Sequence, residues 1–541
     1  MDNTTLRQRE REVVQPLLNE EGGGNSSDEA DEIHHLEQST TCCSSFSPGS
    51  ISNLCSATLG AGALSLPYAI SNCGIIFGVM FLLLSAYLTI ISINIIIEAC
   101  VATKSFKFED VAKRLAGPKM STALEASLLV FCFGTAVAYI VAVGDILDQG
   151  LRSITSLWAP GSTFASLYSR ERVMILFWFV MLLPLSLQTK LKRLEKFSSL
   201  GVSSIIFLVI AAVIHSIMHG DVIGANSQGE SKEIEVSSLL WPKSFVGMVQ
   251  AFPIIIFAFS CQVNVCQIFE ECRIKDTSNH ELHTTTILKM KQQTMKHITR
   301  NGIMLCTILY LLIGVFGFLD FTTDTTDDIL INYCIQVSHD ALMTAATFSV
   351  FVAVVVAFPF NILPARVTLK LIFDRIKTKR RRGLCSKKVI HYLCLDRVPR
   401  MGSDANSQST AVSLEIDTGS PTQSESDFSE PLLDDQFPGQ RSASVIEHVL
   451  LTLLLSGGAL VTAILVPGIS IVFGLMGGTA ASIISFILPG LFQQQLQERS
   501  DGTPRVGTAL VWGGLVIGIL TTGTTLVGIF NNGNVTDGNT C

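Results

Sequence analysis

A chain of 541 residues in which 48% are hydrophobic and only 15% charged is poorly suited to water, since soluble globular proteins carry roughly 25% charged residues. Its formal net charge of −7 argues against nucleic acid as a partner. The mean hydropathy of +0.45 comes from apolar blocks of about twenty residues, each long enough to cross a bilayer as a helix.

Residues 1–49 are polar and acid-rich and contain no apolar stretch of the secretory-signal kind, so they are expected to form a disordered cytosolic tail and to leave insertion to the first span. About eleven spans follow in chain order. The first five, within 50–220, are 50–72, 75–102, 122–145, 173–188 and 197–219. The next five, within 244–492, are 245–269, 301–321, 341–364, 445–467 and 469–492. An eleventh lies at 507–530, and 531–541 form a short outer or lumenal tail. The expected fold is therefore an all-α polytopic membrane protein.

The basic residues supply an independent check. With the N-terminus cytosolic, all but five of the 38 Lys and Arg fall in segments on the cytosolic side. The exceptions are Arg152, Arg170, Arg172, Lys232 and Lys243. Positive charge is retained on the cytosolic side during insertion, and a miscounted span would scramble this alternation.

The insert at about 402–440 is rich in Ser, Thr, Asp, Glu and Pro, and is expected to be disordered and cytosolic. It carries Pro431-Leu432-Leu433, and the N-terminal tail carries Pro16-Leu17-Leu18, both near acidic residues. These resemble acidic dileucine signals that cytosolic sorting adaptors read, although their spacing is not the standard one. The basic run from Lys377 to Lys388 is expected to touch anionic membrane lipid. The 14 Cys are scattered, many of them within apolar blocks, with no metal-ligand spacing. No nucleophile–base constellation stands out either, so the chain does not read as an enzyme. His215 and His219, one turn apart, are read as incidental interface residues rather than as a pH sensor or metal site. Asn534-Val535-Thr536 is a sequon in the outer tail, which makes Asn534 a candidate for N-glycosylation.

The chemistry concentrates in two spans. Span one contains Gly60-Ala61-Gly62-Ala63-Leu64-Ser65-Leu66-Pro67, where glycine frees the backbone and proline removes a hydrogen bond. Close helix packing through small residues explains the string equally well. Span six tips the balance, with Pro253 near its start and Ser260-Cys261-Gln262 in mid-membrane. Interrupted helices at equivalent positions of two five-helix halves mark a transporter binding site. Free N–H groups at a half-helix start hold a carboxylate, and free carbonyls at a half-helix end hold an ammonium or a cation. Asn53 lies about two turns before the break, and Asp145 closes span three. The motifs Gly474-x-x-x-Gly478 and Gly514-x-x-x-Gly518 read as packing sites between helices.

On these residues the chain resembles the amino acid/auxin permease family, in particular its solute carrier family 38 and yeast vacuolar amino acid transporter branches. The strings that carry the resemblance are Asn53-Leu54 with Gly60 to Ala69, Val143-Gly144-Asp145, Phe257 to Asn264 with Phe269-Glu270, Phe358 to Arg366, and Phe473 to Leu491. The resemblance implies a LeuT-like 5+5 inverted repeat of the amino acid–polyamine–cation superfamily, with an eleventh helix added. It implies that the N–H groups of Gly60, Ala61 and Gly62 meet the carboxylate of a small amino acid substrate. The carbonyls of Phe257, Ala258 and Ser260 would then meet its amino group. Sodium-coupled members pair an asparagine matching Asn53 with a threonine just before the proline that aligns with Pro359. Here that neighbourhood reads Val354-Val355-Val356-Ala357-Phe358, and the nearest hydroxyls are Thr347 and Ser349. Asn53, Asp145, Thr347 and Ser349 are therefore the ion-coupling candidates. Protons are favoured over sodium, and no other cofactor is implied. The expected function is cation-coupled transport of small neutral amino acids by alternating access, at the plasma membrane or at a vacuolar or lysosomal membrane. An amino acid sensor on the same fold is the alternative.

Overall fold

The computed structural model describes residues 48–158, 169–188, 198–219, 239–272, 284–333, 340–395, 438–466, 468–498 and 505–531. Among them every regular element is helical. Span one is α1 (Pro48–Thr58), a 3-10 turn (Ala61–Ser65) and the start of α2 (Leu66–Thr103), which bends at Gly74 and continues as span two. α3 (Phe108–Trp158) is span three. Span four is α4 (Arg170–Phe177), a π turn (Trp178–Leu182) and α5 (Leu183–Ser186). Span five is α6 (Ser198–His219).

The second half repeats the plan. Span six is α7 (Phe245–Ala258) and α8 (Gln262–Glu271), separated by three non-helical residues. α9 (Thr284–Phe321) is span seven, and the short α10 (Ile329–Asn332) lies in the connection to α11 (Ala341–Leu395), span eight. α12 (Pro438–Leu465) is span nine. Span ten is α13 (Ile469–Met476), two π turns (Gly477–Ala481 and Ile483–Ile487) and α14 (Leu488–Glu498), and α15 (Arg505–Asn531) is span eleven.

Among the described residues nine stretches are long and apolar enough to cross a membrane. The two further spans expected from the sequence have identifiable places. Spans one and two run together through Gly74, whose φ of 72° lets the chain bend without a loop. A side chain at Gly74 would also collide with the backbone of Leu240 and Trp241, at 2.6 Å. Span four is too short to qualify, being made of helical pieces of 8, 5 and 4 residues. Large apolar side chains such as Leu83, Phe179, Ile308, Phe348, Leu454 and Ile519 are exposed around the bundle, which costs nothing where the solvent is lipid.

The helix contacts carry an internal symmetry. Span three packs on eight and span four on nine; two meets seven, where Glu98 pairs with Lys296, and one meets six. Span five packs on one, seven and eight; span ten packs on six, two and three. Adding five to each span of the first set, and counting on from ten to one, gives the second. Each half holds an odd number of spans, so equivalent helices cross in opposite directions, which is the inverted five-plus-five arrangement. Span eleven lies outside this symmetry and packs on span ten, where a side chain at Gly518 would sit 2.8 Å from the carbonyl of Gly478.

Several helices extend well beyond the apolar blocks. α9 begins seventeen residues before the expected Asn301, and α11 runs through Pro359 and Pro364 and the whole basic run as far as Leu395. Hydropathy marks where the hydrocarbon ends, and a helix whose backbone is internally satisfied can continue into water. The dileucine strings and Asn534 lie outside the described residues, as do nearly all of the 1–49 tail and the 402–440 insert; helix begins at Pro48 and Pro438.

Candidate functional site

α1 ends at Thr58, whose hydroxyl donates to the Leu54 carbonyl at 2.8 Å. Gly60 is extended (φ −141°, ψ −160°), and the 3-10 turn starts at Ala61. The first N–H groups of such a turn have no acceptor within it, and Gly60 has no side chain to cap them. The helix resumes at Leu66 with Pro67 in its first turn, where a missing N–H costs nothing. In span six, α7 ends at Ala258, and Phe259, Ser260 and Cys261 intervene before α8. The two breaks touch: a Cβ at Gly62 would stand 2.9 Å from Cα of Ala258.

The buried Tyr310 of α9 reaches both breaks. Its hydroxyl lies 2.7 Å from the carbonyl oxygen of Thr58 and 2.9 Å from that of Ala258. These carbonyls close α1 and α7, so the negative ends of two half-helices converge on one phenol. Phe257 O accepts from the Ser260 N–H at 3.0 Å, and Ser260 Oγ donates to Ile256 O at 2.8 Å. Around the breaks stand uncharged side chains. Phe257 stacks on Phe473 at a centroid distance of 4.6 Å and leans on Phe131 at 5.5 Å. A Cβ at Gly60 would lie 3.5 Å from the hydroxyl of Tyr139.

The expected span-one and span-six residues therefore lie at two breaks that touch, with Gly62 against Ala258. Three further residues join them. Tyr310 sits in an unremarkable apolar run of span seven. Gln262 and Ser485 are 223 positions apart, yet Ser485 Oγ donates to Gln262 Oε1 at 2.9 Å and lies 3.4 Å from Ser260 Oγ. Gln262 is fully buried, and its Nε2 has no partner.

The four ion-coupling candidates have dissimilar surroundings. Asn53 is exposed on α1. Thr347 is buried with its Oγ1 unpartnered, whereas Ser349 donates to the Ala346 carbonyl at 2.7 Å. Asp145 forms an ion pair with Arg170, its Oδ1 accepting from Nε at 2.9 Å and from Nη2 at 2.6 Å. His215, read as incidental, is engaged: its Nδ1 is 3.2 Å from Oδ2 of the buried Asp320, which also accepts from Tyr333 Oη at 2.8 Å. Among the described residues no group of His, Cys, Asp and Glu could hold a metal ion.

Comparison with known proteins bears on this geometry. A family described as "Transmembrane amino acid transporter protein" matches residues 47–529. The chain is similar to vacuolar amino acid transporter 6 of Saccharomyces cerevisiae, 26% identical over 85% of this chain and 92% of that one. It is 27% identical to vacuolar amino acid transporter 5 of Schizosaccharomyces pombe over 59% of this chain and 67% of that one. Similarity to human solute carrier family 38 member 10 is 22% over 88% of this chain but only 34% of that protein. Among solved structures, a manganese transporter of Eremococcus coleocola aligns over 90% of this chain and 88% of its own, with 12% identity and a TM-score of 0.43.

Proposed function

Since this chain belongs to the transmembrane amino acid transporter family, whose members are transport proteins rather than enzymes, we propose that it is a proton-coupled carrier of small neutral amino acids working by alternating access. The observation that carries the reading is the convergence at Tyr310: two half-helices end in carbonyls on its hydroxyl, next to the uncapped start of a 3-10 turn. That is a site for a zwitterion, with the carboxylate at Ala61 and Gly62 and the ammonium at the carbonyls. The walls, Phe131, Tyr139, Phe257 and Phe473, are uncharged and bulky, which favours a small neutral side chain over a charged one. Backbone contact at Gly62 and Ala258 supports two halves that rock about the breaks.

Proton coupling rests on the residue types near the span-eight proline and on the exposure of Asn53, which does not favour a sodium ligand there. The names of the yeast relatives support a vacuolar membrane, and the distribution of Lys and Arg supports a cytosolic N-terminus. The test is uptake of a labelled neutral amino acid panel into proteoliposomes, with a pH gradient or a sodium gradient imposed separately. Uphill accumulation driven by pH alone is expected. Accumulation driven by sodium alone would overturn the coupling, and binding without flux under either gradient would make the protein a sensor.

A further inference from the structure

A carrier that takes up substrate together with a proton must return empty, and the empty return poses an electrostatic problem. When a substrate ammonium leaves, the carbonyls that held it remain at the ends of two half-helices inside the protein. A buried carbonyl left without a donor costs about 1–3 kcal/mol. The structure contains a donor placed at these carbonyls. We infer that Tyr310 is a positioning residue for the empty carrier, its hydroxyl standing in for the substrate ammonium at Thr58 O and Ala258 O. The inference rests on the substrate site proposed above.

Three features support the assignment. First, Tyr310 Oη reaches Thr58 O at 2.7 Å and Ala258 O at 2.9 Å, so it bridges the two breaks rather than serving one helix. Second, the donor count favours displacement of the phenol by substrate. A phenol has one proton to donate and an ammonium has three, so the phenol satisfies one carbonyl at a time while the substrate satisfies both. Third, α9 is fastened to span one on both sides of its break. Gly302 packs on Leu54 of α1 at 3.0 Å, and Gly314 and Gly317 pack on Ile70 and Pro67 of α2 at 2.7 and 2.8 Å, each measured from the position of an added Cβ. The ring is also held edge-on by Phe259 at 5.1 Å. The hydroxyl thus moves with the helix segments it bridges.

This role separates two rates that a merely structural tyrosine would change together. Exchange of internal for external amino acid never passes through the empty return, whereas net uptake does. Y310F and wild type are reconstituted at full length in proteoliposomes and given an equimolar mixture of labelled alanine, serine, glutamine and leucine. In Y310F the ratio of net pH-driven uptake to exchange is expected to fall by about tenfold or more from its wild-type value, the scale of one unmade buried hydrogen bond. Loss of both rates in proportion, or of neither, would overturn the role of Tyr310 while leaving the carrier reading intact. A wild type that exchanges none of the four amino acids would remove the carrier reading, and the inference with it. Should Y310F not reach the membrane folded, Y310L, equally without a donor, is put through the same two assays with the same outcomes.

Discussion

Gly62 and Ala258 meet where the two interrupted helices cross, and a methyl group on Gly62 would stand 3.1 Å from the Ala258 Cβ and closer still to its Cα. The second contact is with backbone, which cannot rotate aside. G62A is therefore expected to force spans one and six apart and to lower uptake by about tenfold or more, since overpacking costs roughly 1–3 kcal/mol. G62L should abolish uptake. Surface expression and gel-filtration profile measured beside uptake separate a lost site from a lost fold. Normal transport by G62L would remove the paired-break assignment.

Glu125 and Arg375 tie span three to span eight by a bidentate pair, both oxygens at 2.7 Å. The partners are unequal: the Glu125 side chain is 1% exposed and that of Arg375 is 50% exposed. Removing the arginine strands a buried carboxylate with a weak contact to Ser121 at 3.4 Å, whereas E125Q leaves a cation that water can reach. R375A should therefore lower thermal stability in detergent more than E125Q, by roughly 1–3 kcal/mol once the exposure of the arginine is discounted. Melting followed by light scattering at low and high salt checks the order, and E125Q melting below R375A would contradict it.

The two breaks were legible because their chemistry is local. Gly60, Gly62 and Pro67 weaken a helix by what they are, and so do Pro253 and the polar Ser260-Cys261-Gln262 string. Tyr310 was not legible, since its role depends on where α1 and α7 happen to end. Its neighbours Leu309 and Leu311 make it look like ordinary core. The surroundings of Asn53 were not legible for a related reason. Distance along a helix is readable from sequence, but in a span this apolar the facing of a side chain is not, and the structure leaves Asn53 exposed. Helix ends went astray wherever a span continues into water, as in α9 and α11, because the apolar pattern ends with the hydrocarbon.

Thr347 tests the coupling ion. Its hydroxyl is buried without a partner, and replacing an unsatisfied hydroxyl with a methyl group of the same shape is neutral or stabilising unless a ligand uses it. Under proton coupling T347V should keep pH-driven uptake and melt at or slightly above the wild-type temperature. Loss of uptake with stability unchanged would mean that the hydroxyl ligates an ion, and would return sodium to consideration.

Asp328 gives the protein a pH dependence that can be signed. It lies in the connection between spans seven and eight, fully buried, with Oδ1 accepting from the Leu330 N–H at 3.0 Å and Oδ2 without a partner. Burial pushes its carboxyl well above the usual range. The charges of Asp145 and Asp327 push the same way, and the Leu330 N–H and Arg170 oppose them. The segment is latched to span one, where Ser65 Oγ donates to Asp327 O at 2.6 Å, and to span ten, where Ser470 N–H donates to Asp327 Oδ2 at 3.1 Å. A raised carboxyl binds more protons folded than unfolded, so its stabilisation is present in acid and is lost as pH climbs from the ordinary carboxylate range towards the shifted value. Wild type should therefore lose melting temperature through that window more steeply than D328N, which is uncharged throughout. Parallel pH profiles for the two proteins would show that Asp328 does not titrate in the closed segment.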